Sequence, residues 1–358
     1  MPTLYLMLFP ALTAFLFALV AIKIIKPIAL EVGLVDAPSE RKKHSGNIPL
    51  IGGISIFLAV LAATVIWMPN TQELRLYLIA SAMMVFIGAV DDKYDLSVGV
   101  RLVGQLIIAS LMIYGVGAYI QDLGNIFNLG NVDLGWFGIP FTYFAIIVAI
   151  NAFNMIDGID GLLGSLSINT FTALAVLFIY QGQEGFINYA LILATAIFPY
   201  LLFNLGVPFK NTKKIFMGDA GAMFIGLSVV WLLSEGSQGE TRSFSAVTAL
   251  WITAVPLMDM LAIVIRRLRK GHSPFKPDRD HIHHILLRLG YNPRQALIII
   301  SILAALLSSI GILGEVYNIA DSFMFALFLA VFGIYHYVLR NTERHNFILK
   351  LFPKNKVL

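Results

Sequence analysis

The chain has 358 residues, of which 58% are hydrophobic and only 13% are charged, and its mean hydropathy is +0.81. Soluble domains carry about 25% charged residues, so this composition excludes a soluble core and indicates that lipid surrounds the chain. The sequence has no cysteine, which excludes disulfides, zinc–cysteine sites and thiol catalysis.

Eleven apolar segments follow one another along the chain. Helices are their expected form, because a bilayer leaves no hydrogen-bond partner for open backbone groups. We find no internal repeat, and therefore expect one all-α polytopic membrane domain over residues 1–358. The predicted spans cover about residues 3–24, 50–68, 76–90, 102–120, 136–152, 161–181, 186–204, 220–234, 245–265, 295–314 and 322–339.

Basic residues are divided unevenly between the two alternating sets of loops and span ends. One set holds Arg75 and Arg242, and the other holds the remaining 23 of the 25 Lys and Arg residues. The positive-inside rule places the basic set in the cytoplasm, with a periplasmic N-terminus and a cytoplasmic C-terminus. The clustered acidic residues lie on the same side, so chemistry is expected there. The net charge of +4 indicates anionic headgroups and an anionic substrate rather than nucleic acid, for which we find no motif.

The first polar cluster, residues 91–95 (DDKYD), directly follows the third span. Adjacent carboxylates such as Asp91 and Asp92 repel each other, and are retained at a membrane boundary where a cation or proton lies between them. Magnesium with oxygen ligands is the natural occupant. The alternative is a solvated helix end.

The second cluster follows the fifth span, where Asn154, Asp157 and Asp160 recur at every third residue. This spacing puts the three side chains on one face of a helix or helical turn. Gly158 and Gly161 let the backbone approach a ligand closely. A polar loop with turn glycines is the alternative.

The third cluster, around Phe216 and Asp219, opens the eighth span. A helix N-terminus offers free N–H groups to a phosphate, and Asp219 is suited to hold the metal of that phosphate. Three preceding lysines would steer a polyanion: Lys210, Lys213 and Lys214. The alternative is that Asp219 is the N-cap of the helix.

The fourth cluster is the longest predicted cytoplasmic loop, at about residues 266–292. Arginine forks such as that of Arg266 match phosphate oxygens, although the basic run also fits topology alone. Three histidines, His281, His283 and His284, are able to bind metal, donate protons or hydrogen-bond phosphates. A zinc site is disfavoured because the sequence offers no well-spaced third ligand. The alternative is that the histidines lie in a surface loop without a binding role.

Three further features are weaker. The basic segment with Lys42 and His44, before the second span, fits phosphate binding and topology equally well. Asp259, about two turns before Arg266, either makes a structural polar bond or belongs to the site, and we favour the structural role. His336, near the end of the last span, is interpreted as an interfacial residue.

The five clusters, in this order, resemble the polyprenyl-phosphate N-acetylhexosamine-1-phosphate transferases over nearly the whole chain. The matching segments are RKKHSGNIPLIGGIS, FIGAVDDKYDLSV, NAFNMIDGIDGL, KIFMGDAGA and RRLRKGHSPFKPDRDHIHH. Within the family, the chain is most similar to bacterial members that use UDP-GlcNAc and undecaprenyl phosphate. Members that make the first peptidoglycan lipid intermediate typically have three adjacent histidines instead of HIHH, which argues against a MurNAc-pentapeptide substrate.

The resemblance implies transfer of GlcNAc-1-phosphate from UDP-GlcNAc to undecaprenyl phosphate, with release of UMP, at the cytoplasmic face of the bacterial inner membrane. Mg²⁺, with Mn²⁺ as a substitute, is the implied cofactor. The lipid product would begin a surface polysaccharide such as O-antigen or enterobacterial common antigen. The family includes dimers, and both a direct displacement and a covalent phospho-enzyme remain open.

Residue roles are likewise implied by the resemblance. Asp219 and Asn154 would hold the metal, Phe216 would stack on uracil, and Asp160 would bind its edge. Asp91 and Asp92 would act on the lipid phosphate as a base or by positioning it. The implied catalytic set is Asp91, Asp92, Asp157, Asp160, His281 and His283. Substrate contacts would come from Lys42, His44, Asn154, Asp160, Phe216, Arg266, His281, His283 and His284.

Two other classes of function fit the sequence less well than an enzyme does. A transporter usually places ionisable residues near the bilayer midplane and shows internal repeats, whereas here the acids lie at span ends on one side. An adaptor whose acidic loops dock a partner leaves the regular spacing of Asn154, Asp157 and Asp160 unexplained. The sequence therefore favours the enzyme.

Overall fold

The computed structural model describes residues 4–38, 46–207, 214–274 and 280–342. This part of the chain is a helical bundle with one short antiparallel strand pair, β1 (Val35–Asp36) and β2 (Ile48–Pro49). Its helices are α1 (Leu4–Val32), α2 (Gly52–Trp67), α3 (Gln72–Tyr94), α4 (Val98–Ser110), α5 (Gly138–Met155), α6 (Leu162–Gln181), α7 (Glu184–Leu205), α8 (Gly218–Ser237), α9 (Ala246–Ile252), α10 (Ala254–Arg269), α11 (Ile282–Arg288), α12 (Pro293–Val316) and α13 (Asp321–Thr342).

The helices coincide with the predicted apolar segments. Within the described residues, nine helices are long and apolar enough to cross a membrane, where α4 is counted with its π-helical continuation Leu111–Val116. Helix α9 with α10 forms a tenth candidate. The remaining predicted span matches α2, which has 16 residues. An all-α polytopic membrane protein is thereby confirmed, while the count of eleven spans and the orientation of the termini stay predictions.

The ninth predicted span is broken. We expected one continuous helix over residues 245–265, but α9 and α10 meet at Thr253 with a bend of 83°. Pro256 explains the break, because its ring lacks an N–H and clashes with the carbonyl four residues earlier in a continuous helix. Proline is tolerated in the first turn of α10, where no intrahelical N–H bond is required.

Helix α8 lies at the centre of the bundle. In its most apolar stretch of 18 residues, 83% of the residues are buried inside the protein, whereas the corresponding share in the peripheral α13 is 17%. Backbones come close here: a Cβ atom at Gly53 of α2 would overlap Gly221, and one at Gly88 of α3 would overlap Ala220. The first turn of α8 is therefore held directly against α2 and α3.

The segment before α8 is fixed by backbone hydrogen bonds. The Phe216 N–H donates to the Pro49 carbonyl, and the Gly52 N–H donates to the Phe216 carbonyl, both at 2.9 Å. These bonds join the entry to α8 with the entry to α2. They place Phe216 and Asp219 at the same end of the bundle as the C-terminal ends of α3 and α5.

Candidate active site

A cavity of about 780 Å³ opens at this end of the bundle, and carboxylates dominate its wall. It gathers seven of the predicted site residues from three separate segments. Those residues are Asp91, Asp92, Asn154, Asp157, Asp160, Phe216 and Asp219. The sequence clusters at the ends of α3 and α5 and at the start of α8 therefore form one site.

Asp92 caps the N-terminus of α8. Its carboxylate accepts the N–H groups of Asp219 at 2.7 Å and Ala220 at 3.2 Å. The expectation that these N–H groups are free for a phosphate is wrong, because a carboxylate of α3 already satisfies them. The alternative that Asp219 is the N-cap is also wrong, since Asp219 lies inside the first turn. Gly218 leaves room for this contact, as a Cβ there would overlap the Asp92 carboxylate.

Asp91 forms a buried ion pair. Its Oδ2 lies 3.0 Å from a guanidinium nitrogen of Arg101, and its Oδ1 accepts the Leu96 N–H at 2.8 Å. Only 1% of the Asp91 side chain is exposed. Arg101, in the first turns of α4, was missed by the sequence interpretation. Its one signal was a basic residue within an otherwise apolar helix.

Asn154 and Asp219, the predicted metal ligands, are in direct contact. The Asn154 amide nitrogen donates to Asp219 Oδ1 at 2.6 Å, so the Asn154 carbonyl oxygen remains an acceptor. No group of three or more metal-binding side chains converges on one point within the described ranges. Magnesium usually takes one or two carboxylates and completes its shell with substrate phosphates and water. The donors present fit an ion that arrives with a phosphate, and do not form a closed protein cage.

Asp157 lies in the loop between α5 and α6. Asp157 is exposed to the cavity, which its carboxylate lines. Partial desolvation by the neighbouring protein, with the negative charges of Asp219 and Asp160, raises the pKa of Asp157 to about 7. Asn204 fixes the end of the loop, because its Oδ1 accepts the Gly161 N–H at 2.6 Å. The Asn204 amide also donates to the Ile215 carbonyl at 2.9 Å, which ties this loop to the Phe216 segment.

Lys214 connects Asp160 with Phe216. Its Nζ atom lies 2.6 Å from Asp160 Oδ2 and 4.9 Å from the centre of the Phe216 ring. The two residues that the resemblance assigns to uracil are therefore neighbours. In this conformation the ammonium group covers the ring face and neutralises the carboxylate.

The histidines pack against this site without lining the cavity surface. His283 is almost fully buried, and its ring lies so close to Gly158 that a Cβ there would overlap the Nε2 atom. Neither ring nitrogen of His283 has a hydrogen-bond partner among the described residues. Burial, with smaller effects of His284 and His281, lowers the pKa of His283 to about 3. The ring is therefore neutral at physiological pH.

The loop predicted at 266–292 is partly helical. Helix α10 continues to Arg269, and α11 begins at Ile282, directly after His281. Arg266 forms an ion pair of 2.9 Å with Asp280. This pair ties the end of α10 to the start of the histidine segment.

Four predicted residues lie outside the described residues: Lys42, His44, Lys210 and Lys213. Conversely, Asp36 and Asn204 line the cavity although the sequence interpretation did not single them out. An isolated Asp in a short strand and one Asn near a helix end carry no local pattern, and only the tertiary fold brings them to the site.

Known proteins are similar to this chain over most of its length. Residues 74–237 match the family model described as glycosyl transferase family 4. Curated relatives named undecaprenyl-phosphate alpha-N-acetylglucosaminyl 1-phosphate transferase are 44% identical to the chain. The Yersinia pestis protein aligns over 95% of this chain and 93% of its own length. The Escherichia coli K12 protein aligns over 92% and 90%, respectively, and the Haemophilus influenzae protein over 92% and 93%. From the matched segments, the carboxylate cavity and this extent of identity, the chain belongs to the polyprenyl-phosphate N-acetylhexosamine-1-phosphate transferase family.

Proposed function

We propose that the protein transfers GlcNAc-1-phosphate from UDP-GlcNAc to undecaprenyl phosphate and releases UMP. The observation that carries this proposal is the carboxylate-lined cavity at the end of an apolar bundle, with Asn154 and Asp219 in contact at 2.6 Å. The names of the 44% identical relatives give undecaprenyl phosphate as their acceptor and N-acetylglucosaminyl 1-phosphate as the group that they transfer. UDP-GlcNAc is the donor that such a transfer implies. In the reaction, an oxygen of the lipid phosphate bonds to the phosphorus that carries GlcNAc, and the bond from that phosphorus to UMP breaks.

The nucleotide end of the donor is assigned to the Phe216 side of the cavity. Phe216 offers an aromatic face and Asp160 a carboxylate beside it, and both contact Lys214. A uracil ring would take the place of the Lys214 ammonium on the ring face. The displaced lysine would then be near the diphosphate, whose negative charge it complements.

The chemistry is proposed to depend on positioning and electrostatics, as is general for phosphoryl transfer. A phosphate monoester has a second pKa of about 6, so the acceptor is mostly a dianion at neutral pH and requires little base assistance. Asp91 and Asp92 are engaged with Arg101 and with the first turn of α8, which favours positioning over the alternative of a base. Asp157, whose pKa is about 7, is suited to take the proton of a monoanionic acceptor.

A bound Mg²⁺ ion, held by Asp219 with the carbonyl oxygen of Asn154, would neutralise the diphosphate and stabilise UMP as it leaves. Asp92 supports this assignment through its bonds to the first turn of α8. Those bonds fix the backbone that carries Asp219, so the carboxylate stays in place when the substrate enters.

The lipid tail is assigned to a second cavity. An apolar cavity of about 470 Å³ runs along α5 from Phe141 to Phe153, one residue before Asn154. At 1.5 Å per residue, this part of α5 is about 18 Å long. The other wall is formed by α8 and the broken pair α9–α10. An isoprenoid chain lying here would bring its phosphate to the carboxylate end of α5.

We further propose that the site faces the cytoplasm, because 23 of the 25 Lys and Arg residues lie in loops or span ends on that side of the predicted topology. UDP-sugars are made in the cytoplasm, so this orientation gives the donor direct access. The lipid-linked product would then serve the synthesis of a surface polysaccharide, with O-antigen and enterobacterial common antigen as candidates.

The nucleotide product tests the reaction. Purified protein in detergent is incubated with UDP-GlcNAc, undecaprenyl phosphate and Mg²⁺, and the nucleotides are separated by ion-exchange chromatography. We expect UMP in a one-to-one ratio with an acid-labile lipid product, and reversal of the reaction when UMP is added. Release of UDP without UMP would mean transfer of the sugar alone. Parallel incubations with UDP-GalNAc and UDP-MurNAc-pentapeptide measure donor preference.

A further inference from the structure

The carboxylate of Asp259, in α10, binds three groups at once. Its Oδ2 lies 2.7 Å from the Nδ1 atom of His281, and its Oδ1 accepts the Ile282 N–H and the Tyr335 hydroxyl, each at 2.9 Å. Only 1% of Asp259 is exposed. A carboxylate so deeply buried is costly unless it is fully hydrogen-bonded. Here two of the three bonds come from the start of α11 and the third comes from α13.

The bond to Asp259 defines the state of the His281 ring. A carboxylate accepts only, so Nδ1 of His281 carries the hydrogen and Nε2 is the nitrogen left for another partner. The His281 ring is stacked on His283, with centroids 5.6 Å apart and planes within 8°. His283 in turn lies against Gly158 of the loop that carries Asp157 and Asp160. The Asp259 contact therefore sets the position of a ring that is linked to the carboxylate cavity.

We propose that Asp259 is a positioning residue of the transferase site, which holds His281 in the Nδ1–H tautomer so that Nε2 is offered to the substrate. Tyr335 supports Asp259 from α13 through Oδ1, whereas His281 bonds to Oδ2. The proposal rests on the proposed function and on the substrate contact that the family resemblance implies for His281. It replaces the structural role that the sequence favoured for Asp259.

Asp259→Asn tests the tautomer with little change of shape. The Asn oxygen still accepts the Ile282 and Tyr335 hydrogens, but the amide nitrogen faces His281 Nδ1 and donates, which favours the Nε2–H tautomer. We expect kcat to fall on the order of 100-fold or more, with a nearly unchanged KM for UDP-GlcNAc and an unfolding temperature close to that of the parent protein. Tyr335→Phe is the matched control, and should reduce kcat less than about fivefold because the Asp259–His281 bond remains.

A double-mutant cycle separates positioning from general support. If Asp259 acts through His281, then the Asp259→Asn, His281→Ala protein should be no slower than His281→Ala alone. The proposal would be overturned if the two substitutions reduced kcat independently, so that their fold-losses multiplied in the double variant. It would also be overturned if Asp259→Asn and Tyr335→Phe lost equal activity in proportion to their lowered unfolding temperatures.

A spectroscopic measurement makes the result independent of turnover. The ¹⁵N NMR spectrum of histidine-labelled protein in detergent should show His281, assigned by comparison with His281→Ala, as the Nδ1–H tautomer in the parent and as Nε2–H in Asp259→Asn. An unchanged tautomer would overturn the proposal even if activity is lost. If the parent protein releases no UMP, the proposed function fails, and the tautomer measurement still decides whether Asp259 controls His281.

Discussion

Asp219 makes hydrogen bonds to two other residues of the site. The Asn154 amide donates to its carboxylate, and its backbone N–H donates to the Asp92 carboxylate. Asp219→Asn keeps the shape and the bond from Asn154 but removes the charge available to a metal. We expect kcat/KM to fall by about 100-fold or more, with normal membrane insertion and an unfolding temperature within a few degrees of the parent. Activity of the parent should likewise be lost with chelator and restored by Mg²⁺ or Mn²⁺.

The control for this prediction is Glu240→Gln, which removes an exposed carboxylate just beyond the opposite end of α8. Transferase assays at several Mg²⁺ concentrations compare the two variants. A fully active Asp219→Asn protein would show that the metal is held elsewhere.

His283 predicts a dependence of stability on pH. Its pKa is about 3 in the folded protein and has an ordinary value of 6.5. Below pH 6.5 the unfolded chain therefore takes up a proton that the folded protein does not, so acidification lowers the free energy of unfolding. From pH 6.5 to pH 5 this contribution is about 2 kcal/mol.

His283→Gln should remove that contribution, so the decrease in stability between pH 7 and pH 5 should be smaller in this variant. Denaturation in detergent at the two pH values measures it. His272→Gln, at an exposed position, is the control and should behave like the parent. The interpretation of His283 as a buried neutral ring fails if the two variants show the same pH dependence.

Some residues of the site could be predicted from the sequence and others could not. Asp91, Asp92, Asp157, Asp160 and Asp219 stand in short polar clusters within an apolar chain, and local contrast is enough to find them. Arg101, Asn204 and the bonds of Asp92 to α8 depend on which helices meet in the fold, and a single sequence does not contain that pairing.

At the scale of elements, the histidine segment lies directly against the carboxylate loop where the His283 ring meets Gly158. Gly158→Ala should displace α11 from the loop and reduce both the unfolding temperature and kcat/KM, the latter by about 10-fold or more, since misplacement by about 1 Å is costly in catalysis. Gly185→Ala in α7 is the control, because nothing lies within 4 Å of a Cβ there.

His283→Ala added to Gly158→Ala should restore the unfolding temperature by vacating the space that the new methyl group needs. Thermal unfolding of the single and double variants decides this. If the double variant is no more stable than Gly158→Ala, the ring is not what the methyl group meets.

The apolar cavity predicts a dependence on lipid length. Ala145 lies in the wall that α5 contributes to this cavity, and Ala145→Phe adds an aromatic ring there. We expect the KM for undecaprenyl phosphate to rise several-fold while the KM for UDP-GlcNAc is unchanged, because the tail competes with the new side chain. A short acceptor such as farnesyl phosphate is the matched substrate, and should be affected less. Equal effects on both acceptors would place the long tail elsewhere.

Most elements of the fold follow from hydropathy, since the drive to bury about 20 apolar residues in lipid is local to each span. The break between α9 and α10 was not predicted, although Pro256 gave a local reason for it. The burial of α8 in the middle of the bundle also escaped prediction, because its composition is no more apolar than that of lipid-facing helices. Helix type is thus encoded locally, while helix neighbours depend on the whole chain.

At the scale of the whole molecule, every proposal for the site requires that the carboxylate end of the bundle faces the cytoplasm. The chain contains no cysteine, so single cysteines can be introduced without any background. Glu240 follows α8 and His272 follows α10, and both side chains are exposed. They lie on opposite sides of the membrane in the predicted topology.

Glu240→Cys and His272→Cys are therefore treated with a membrane-impermeant maleimide, in cells whose outer membrane has been made permeable and, separately, after lysis. We expect Glu240→Cys to be labelled in both preparations and His272→Cys only after lysis. The reason is that 23 of the 25 basic residues lie on the same side of the predicted topology as His272, which the positive-inside rule places in the cytoplasm. Labelling of His272→Cys before lysis would reverse the orientation. A cytoplasmic UDP-sugar would then have no direct path to Phe216 and Asp219, so this one measurement tests the placement of the whole reaction.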